Sequence, residues 1–88
     1  MNKKEPIVSF LLCVYNGQKY LKQTLLSLKD MPFKEFEIII VNDASTDCSF
    51  EIINQFKKYF KDYLVINNHK NKGLTASLNL AAKKANGL

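Results

Sequence analysis

The sequence predicts an α/β fold: a parallel sheet with helices packed on its faces. Three observations predict it. Ile7–Val14 (IVSFLLCV) and Ile38–Val41 (IIIV) are apolar at nearly every position, as strands covered on both faces are. Elsewhere apolar residues recur every three or four positions, the period of a helix. The two patterns alternate along the chain, and such alternation implies parallel strands joined by crossovers.

Each element follows in order. Met1–Pro6 is polar and is expected to fray. Ile7–Val14 is the first strand, ended by Tyr15-Asn16-Gly17. Gln18–Lys29 is a helix with Leu21, Thr24, Leu25 and Leu28 on one face, and Asn16 is its expected N-cap. Asp30-Met31-Pro32 stops it, because proline cannot continue a helix. The second strand begins at Phe36 and runs through Val41. Asn42–Asp47 (NDASTD) then supplies small polar residues suited to a loop and a helix N-terminus. The second helix is expected over Thr46–Lys61, with Ile52, Ile53, Phe56 and Phe60 inward. Tyr63–Asn67 is a short third strand, and Asn67–Gly73 a polar loop. The third helix is expected over Leu74–Ala85, with Leu74, Leu78, Ala81, Ala82 and Ala85 inward. Asn86-Gly87 suits its termination, since Asn and Gly accept the left-handed position after a helix.

The result is a three-layer, Rossmann-like β-α-β-α-β-α unit with a parallel sheet in the order 3-2-1. All three strand ends then face one side: Tyr15-Asn16, Asn42-Asp43 and the Asn67–Gly73 loop. Open α/β sheets bind ligands outside the carboxyl ends of their strands. Asn42 and Asp43 are therefore candidate ligand contacts. A bland role for Asp43 is an Asx-turn at the strand end; for Asp47, Ser45 and Thr46 it is helix capping.

Composition narrows the function. The chain has 88 residues and a formal charge of +5, with every basic residue a lysine. The lysines are scattered, and no basic run is interleaved with base-stacking aromatics, so a nucleic-acid partner is not expected. A P-loop and a dinucleotide fingerprint are both missing. Cys13 and Cys48 fit no metal or redox spacing and read as free thiols of a reducing compartment. His69 reads as a solvated loop residue. No apolar run is long enough to span a membrane. The expected location is the cytoplasm, with attachment to the inner face of the membrane left to sequence outside this chain.

Three segments together carry a family likeness: PIVSFLLCVYNG, FEIIIVNDASTD and NKGLTASLNLA. In this order they resemble the start of family 2 glycosyltransferases, inverting enzymes of GT-A fold. That family's pattern is a strand ending P-V-Y-N, a strand ending V-D-D-G-S-T-D, and an N-x-G loop opening a helix with A-R-N-x-G. The resemblance covers nearly the whole chain and implies a truncated GT-A fold that binds a nucleoside diphosphate sugar, with a UDP-sugar favoured. It implies that Tyr15 stacks on the base, that Cys13 lies near it, and that Asp43 accepts the base's N3–H. Asn71 and Gly73 match the loop shaping the nucleotide pocket, and Asn79 matches the Asn of the third motif. Asn42 stands where Asp is common, Ala44 where Gly is common, and Leu78 where Arg is frequent. Lys70 or Lys72 could supply charge toward a diphosphate.

The family's D-x-D, which holds Mg²⁺ or Mn²⁺, is expected beyond Leu88, as are the acceptor half and the catalytic base. No cofactor is expected in this chain itself. Transferase activity in polysaccharide or cell-surface glycan synthesis is expected of the longer enzyme, and none of this chain alone. The competing reading is a non-catalytic α/β interaction module that forms a homo-oligomer through the open edge of the first strand. A receiver-like domain is disfavoured, because the first strand ends in Val14-Tyr15-Asn16 rather than an acidic cluster.

Overall fold

The computed structural model describes residues 8–85. Ile7, the polar start Met1–Pro6 and the Asn86-Gly87 stop lie outside the described residues. The elements are β1 (Val8–Val14), α1 (Gln18–Lys29), β2 (Phe36–Asp43), α2 (Ser49–Phe56), β3 (Tyr63–Asn68) and α3 (Leu74–Lys84). A 3₁₀ turn over Lys57–Tyr59 follows α2.

The sheet is parallel, with β2 between β1 and β3, as the order 3-2-1 requires. Every residue of β2 is buried. Its side chains alternate between two cores, as the period of a strand dictates. Phe36, Ile38 and Ile40 pack with Val14, Leu21, Leu25, Leu28, Ile53 and Phe56 under α1 and α2. Ile39 and Val41 pack with Ala81 under α3, beside Leu11, Ile66 and Leu80. One strand thus serves both halves of the molecule, which is why its apolar run has no polar interruption. Glu37 is buried but paired: its register partner Ser9 donates its hydroxyl to Glu37 Oε2 at 2.6 Å.

The two ends of the sheet differ in chemistry. At the amino end, Phe36 meets Phe10 edge-on at 5.3 Å, and Phe60 stacks on Tyr63 at 5.4 Å. The Tyr63 hydroxyl donates to the Ile53 carbonyl at 2.7 Å. Burial pushes the Tyr63 phenol up to about 12. The carboxyl end carries asparagines and aspartates.

Three sequence expectations are corrected. The α2 helix begins at Ser49 rather than Thr46, and its last turn tightens to 3₁₀ before Phe60 turns extended. Asn16 does not cap α1: Gly17 occupies the N-cap position, with no side-chain cap bond. The buried face of α3 is not the expected one. Ser77 and Ala81 are buried, whereas Leu74 and Leu78 are 65% and 39% exposed. Small residues let the helix approach the sheet closely, and the leucines are turned aside. Among the described residues no helix is long and apolar enough to cross a membrane.

Candidate functional site

The register aligns the strand ends: Val14 opposite Asn42, Asn42 opposite Asn67, and Asp43 opposite Asn68. Asn42 donates from Nδ2 to Asn67 Oδ1 at 3.2 Å, and Asn68 donates from Nδ2 to Asp43 Oδ1 at 2.9 Å. These amides tie the ends of β2 and β3 together beyond the backbone ladder.

Asp43 organises the loop before α3. Its Oδ1 also accepts the Lys72 N–H at 2.8 Å, and its Oδ2 accepts the Gly73 N–H at 2.9 Å. The Asn68 hydrogen bond, the Lys72 and Gly73 N–H groups and the Lys72 charge hold the carboxyl below the usual aspartate value, against the opposing effect of burial. A carboxylate oxygen has two acceptor sites. Oδ1 fills both, while Oδ2 makes one bond and keeps one site. The strand-end turn is closed by the neighbouring residue: Asn42 Oδ1 accepts the Ser45 N–H three positions on, and the Ala44 N–H bonds back to the Asn42 carbonyl. Ala44 there takes a φ of +61°. That is the left-handed region glycine prefers, which accounts for a glycine in the family pattern at this place.

A second network locks the first two loops together. Asn16 Oδ1 accepts the Thr46 N–H at 2.7 Å, and the Asn16 N–H donates to Ser45 Oγ at 3.0 Å. The Gly17 N–H donates to Ser49 Oγ, and the Cys48 N–H to Gln18 Oε1. Asp47 serves both helix starts, accepting the Ser49 N–H on Oδ1 and the Gln18 N–H on Oδ2. Burial raises the Asp47 pKa, but its hydrogen bonds from Ser49 and Gln18 outweigh that and leave it lowered. Free N–H groups at the start of α1 thus find partners on the loop before α2. Ser45 and Thr46 bond across the gap instead of capping their own helix.

Between β1, β2 and α3 lies a cavity of about 310 Å³. Five of the six expected site residues line it: Cys13, Tyr15, Asp43, Asn71 and Gly73. Asn79 is exposed on α3 and does not line it. Val14, Leu74 and Ser77 complete the wall. Tyr15 is 54% exposed, with its ring open to a flat partner. Burial first, and the Asp43 charge second, push the Cys13 thiol up, which favours its neutral form. Gly73 takes a φ of +87° and ψ of 166°, backbone open essentially to glycine alone. That conformation turns its N–H onto Asp43. Ser77 carries no signal of its own in the sequence, because the leucines of α3 point to a different buried face.

A larger cavity, about 370 Å³, lies between α1 and α2, lined by Lys22, Lys29, Lys58 and Tyr59 among others. It is away from the strand ends, and its lysines are exposed or nearly so. Convergent polar groups mark a ligand site better than size does, and they converge in the smaller cavity.

The sequence profile described as Glycosyl transferase family 2 matches residues 9–88. The chain belongs to that family. A family relative, the poly-β-1,6-N-acetyl-D-glucosamine synthase of Staphylococcus epidermidis, is 40% identical over 78 residues, covering 89% of this chain and 19% of the synthase. The crystal structure of S. aureus TarS 1–349 in complex with UDP-GlcNAc superposes with a TM-score of 0.83 at 32% identity, covering 92% of this chain and 24% of that 1–349 chain. The mannosyltransferase PcManGT from Pyrobaculum calidifontis, in complex with GDP-Man and Mn²⁺, shares the fold at a TM-score of 0.72 and 21% identity, covering 92% of this chain and 25% of that one. The chain spans about a fifth to a third of the length of the first curated relatives it matches. These likenesses establish the three-stranded parallel sheet as part of a GT-A glycosyltransferase fold.

Proposed function

We propose that this chain is the nucleotide-binding part of an enzyme that transfers a sugar from a nucleoside diphosphate sugar, UDP-type favoured, to an acceptor in polysaccharide or cell-surface glycan synthesis. The observation that carries the reading is the cavity at the strand ends. An open aromatic ring, Tyr15, and a carboxylate with one acceptor site left, Asp43, meet there in a family 2 chain. Tyr15 stacks on the base, and Asp43 Oδ2 accepts the base's N3–H. The UDP-GlcNAc bound by TarS supports the choice of base and diphosphate. The S. epidermidis synthase supports a polymeric product.

Among the described residues no three His, Cys, Asp or Glu side chains cluster to hold a metal ion. Asp43 carries three N–H donors on its carboxylate and stands in no such cluster, so it does not fit a cation site. No step is therefore assigned to a metal on these residues; Mg²⁺ or Mn²⁺ belongs to the longer enzyme. The chain binds and orients the nucleotide and is inactive alone. Two free thiols, Cys13 and Cys48, favour the cytoplasm.

Calorimetric titration with UDP, GDP and TDP tests the reading. UDP should bind, and Tyr15→Ala should weaken it about five- to 150-fold without loss of folding, since truncating an exposed ring removes a stack of about 1–3 kcal/mol. A folded chain that binds none of the three, or sugar transfer by the chain alone, would refute it. The alternative, an interaction module, draws on β1, which pairs on one side only among the described residues. A dimer indifferent to nucleotides would favour that reading.

A further inference from the structure

The groove between α1 and α2 has a chemistry that the nucleotide site leaves unused. Lys22, Leu26 and Lys29 stand four and three positions apart on α1, so they form one stripe along its surface. Phe56, Lys58 and Tyr59 face them from the end of α2 and the 3₁₀ turn. Phe56 belongs to the core built on Phe36 and Ile38. Leu26 and Tyr59 are 40% and 48% exposed, apolar surface left among ammonium groups. An adjoining cavity of about 240 Å³ shares Tyr59 and adds Lys34 and Lys61.

Five of the thirteen lysines therefore line two neighbouring cavities, and among the described residues neither is lined by an Asp or Glu. Asp30 reaches Lys29 only at 3.9 Å and stands outside both. The ammonium groups of Lys29 and Lys58 lie 5.0 and 5.3 Å from the centre of the Tyr59 ring. Like charges this close repel each other, and a carboxylate placed among them relieves that repulsion.

The same features exclude other occupants. A second copy carries the same charge of +5 and is repelled. The Tyr59 ring is engaged by two lysines, so it is no free platform for a nucleic-acid base. A bilayer is flat, whereas the apolar surface here lies within a groove. A groove between two helices takes the apolar stripe of a third, with anchors spaced at i, i+3, i+4 and i+7.

We propose that this groove docks an acidic amphipathic helix of a partner protein. Its apolar side chains enter over Leu26, Phe56 and Tyr59, and its carboxylates meet Lys22, Lys29 and Lys58. The groove is away from the strand ends, so docking leaves the nucleotide site open and the proposal does not rest on it.

The test titrates the 88-residue chain into a fluorescent synthetic helix with leucines at i, i+3, i+4 and i+7 flanked by glutamates, read by anisotropy at physiological salt. Two double variants of equal charge are compared: Lys22→Gln with Lys58→Gln in the groove, and Lys83→Gln with Lys84→Gln on α3. All four positions are exposed, so thermal midpoints should hold. The groove variant should bind roughly two- to thirtyfold more weakly, the worth of two exposed ion pairs. The α3 variant should stay within about twofold of the unsubstituted chain. A probe with serines for its leucines should lose binding. UDP affinity should be the same for the groove variant and the unsubstituted chain.

No binding of the leucine probe, equal losses in the two double variants, or equal binding of the serine probe would overturn the proposal. So would tighter binding to phosphatidylglycerol vesicles that depends on Lys22 and Lys58, which would assign the groove to a membrane surface.

Discussion

At the scale of single residues, two backbone conformations and two carboxylates decide how the site is held. Gly73 at φ +87° has no atom within 4 Å of where a Cβ would sit, so Gly73→Ala meets backbone strain rather than a clash. It should cost about 1–3 kcal/mol in urea unfolding; a loss under about 0.5 kcal/mol would contradict the strain. Ala44→Gly is the converse. It relieves about 1–2 kcal/mol of left-handed strain against roughly 0.4–1 kcal/mol of added unfolded-chain entropy. The net gain should be up to about 1.5 kcal/mol, read by the same unfolding curve.

Asp43 and Asp47 both lie below the usual aspartate value. A lowered folded pKa means stability is complete above the unfolded value, about 3.9, and is lost as pH falls below it through the folded value. Thermal midpoints should therefore fall below about pH 4, and less steeply for Asp43→Asn; parallel slopes for the two proteins would remove Asp43 from the account. The sequence marked Asp43 and Tyr15 by type and place. It could not show that Asn16 pairs with Thr46, and Asp47 with Gln18, across some thirty positions, because nothing local records a contact between loops.

At the scale of elements, the strands were legible and the helix edges less so. A run such as Ile38–Val41 has one interpretation when buried on both faces. The α2 helix starts later than expected because Thr46 bonds the first loop instead of its own helix, and Asp47 divides its carboxylate between the two. The α3 phase shifted because leucines suggest a buried face more strongly than Ser and Ala do, whereas close approach to a sheet selects the small residues. Leu25, fully buried in α1, should lose about 2–5 kcal/mol on change to Ala. Leu78→Ala should change stability by no more than about 0.5 kcal/mol, as an outward position does. Comparable losses at both leucines, measured by denaturant unfolding, would place Leu78 back in the core and reject the observed phase of α3.

For the whole molecule, topology explains more than any single motif. Parallel strands put three carboxyl ends together, where Asn42, Asp43, Asn67 and Asn68 meet, while Phe10, Phe36, Phe60 and Tyr63 pack at the other end. The order 3-2-1 and the common side of the loops were legible from the alternation of patterns alone. The pairing of the loops and the cavity between β2 and α3 needed three dimensions, since they depend on how closely α3 lies on the sheet.

The most direct measurement is an NMR chemical-shift map of the chain titrated with UDP. Shifts should concentrate at Cys13, Tyr15, Asp43 and Asn71–Gly73, and the amides of Lys22, Lys29 and Lys58 in the larger cavity should stay still. Shifts centred instead on those lysines, or none in a folded chain at millimolar UDP, would contradict the assignment of the nucleotide site to the strand ends.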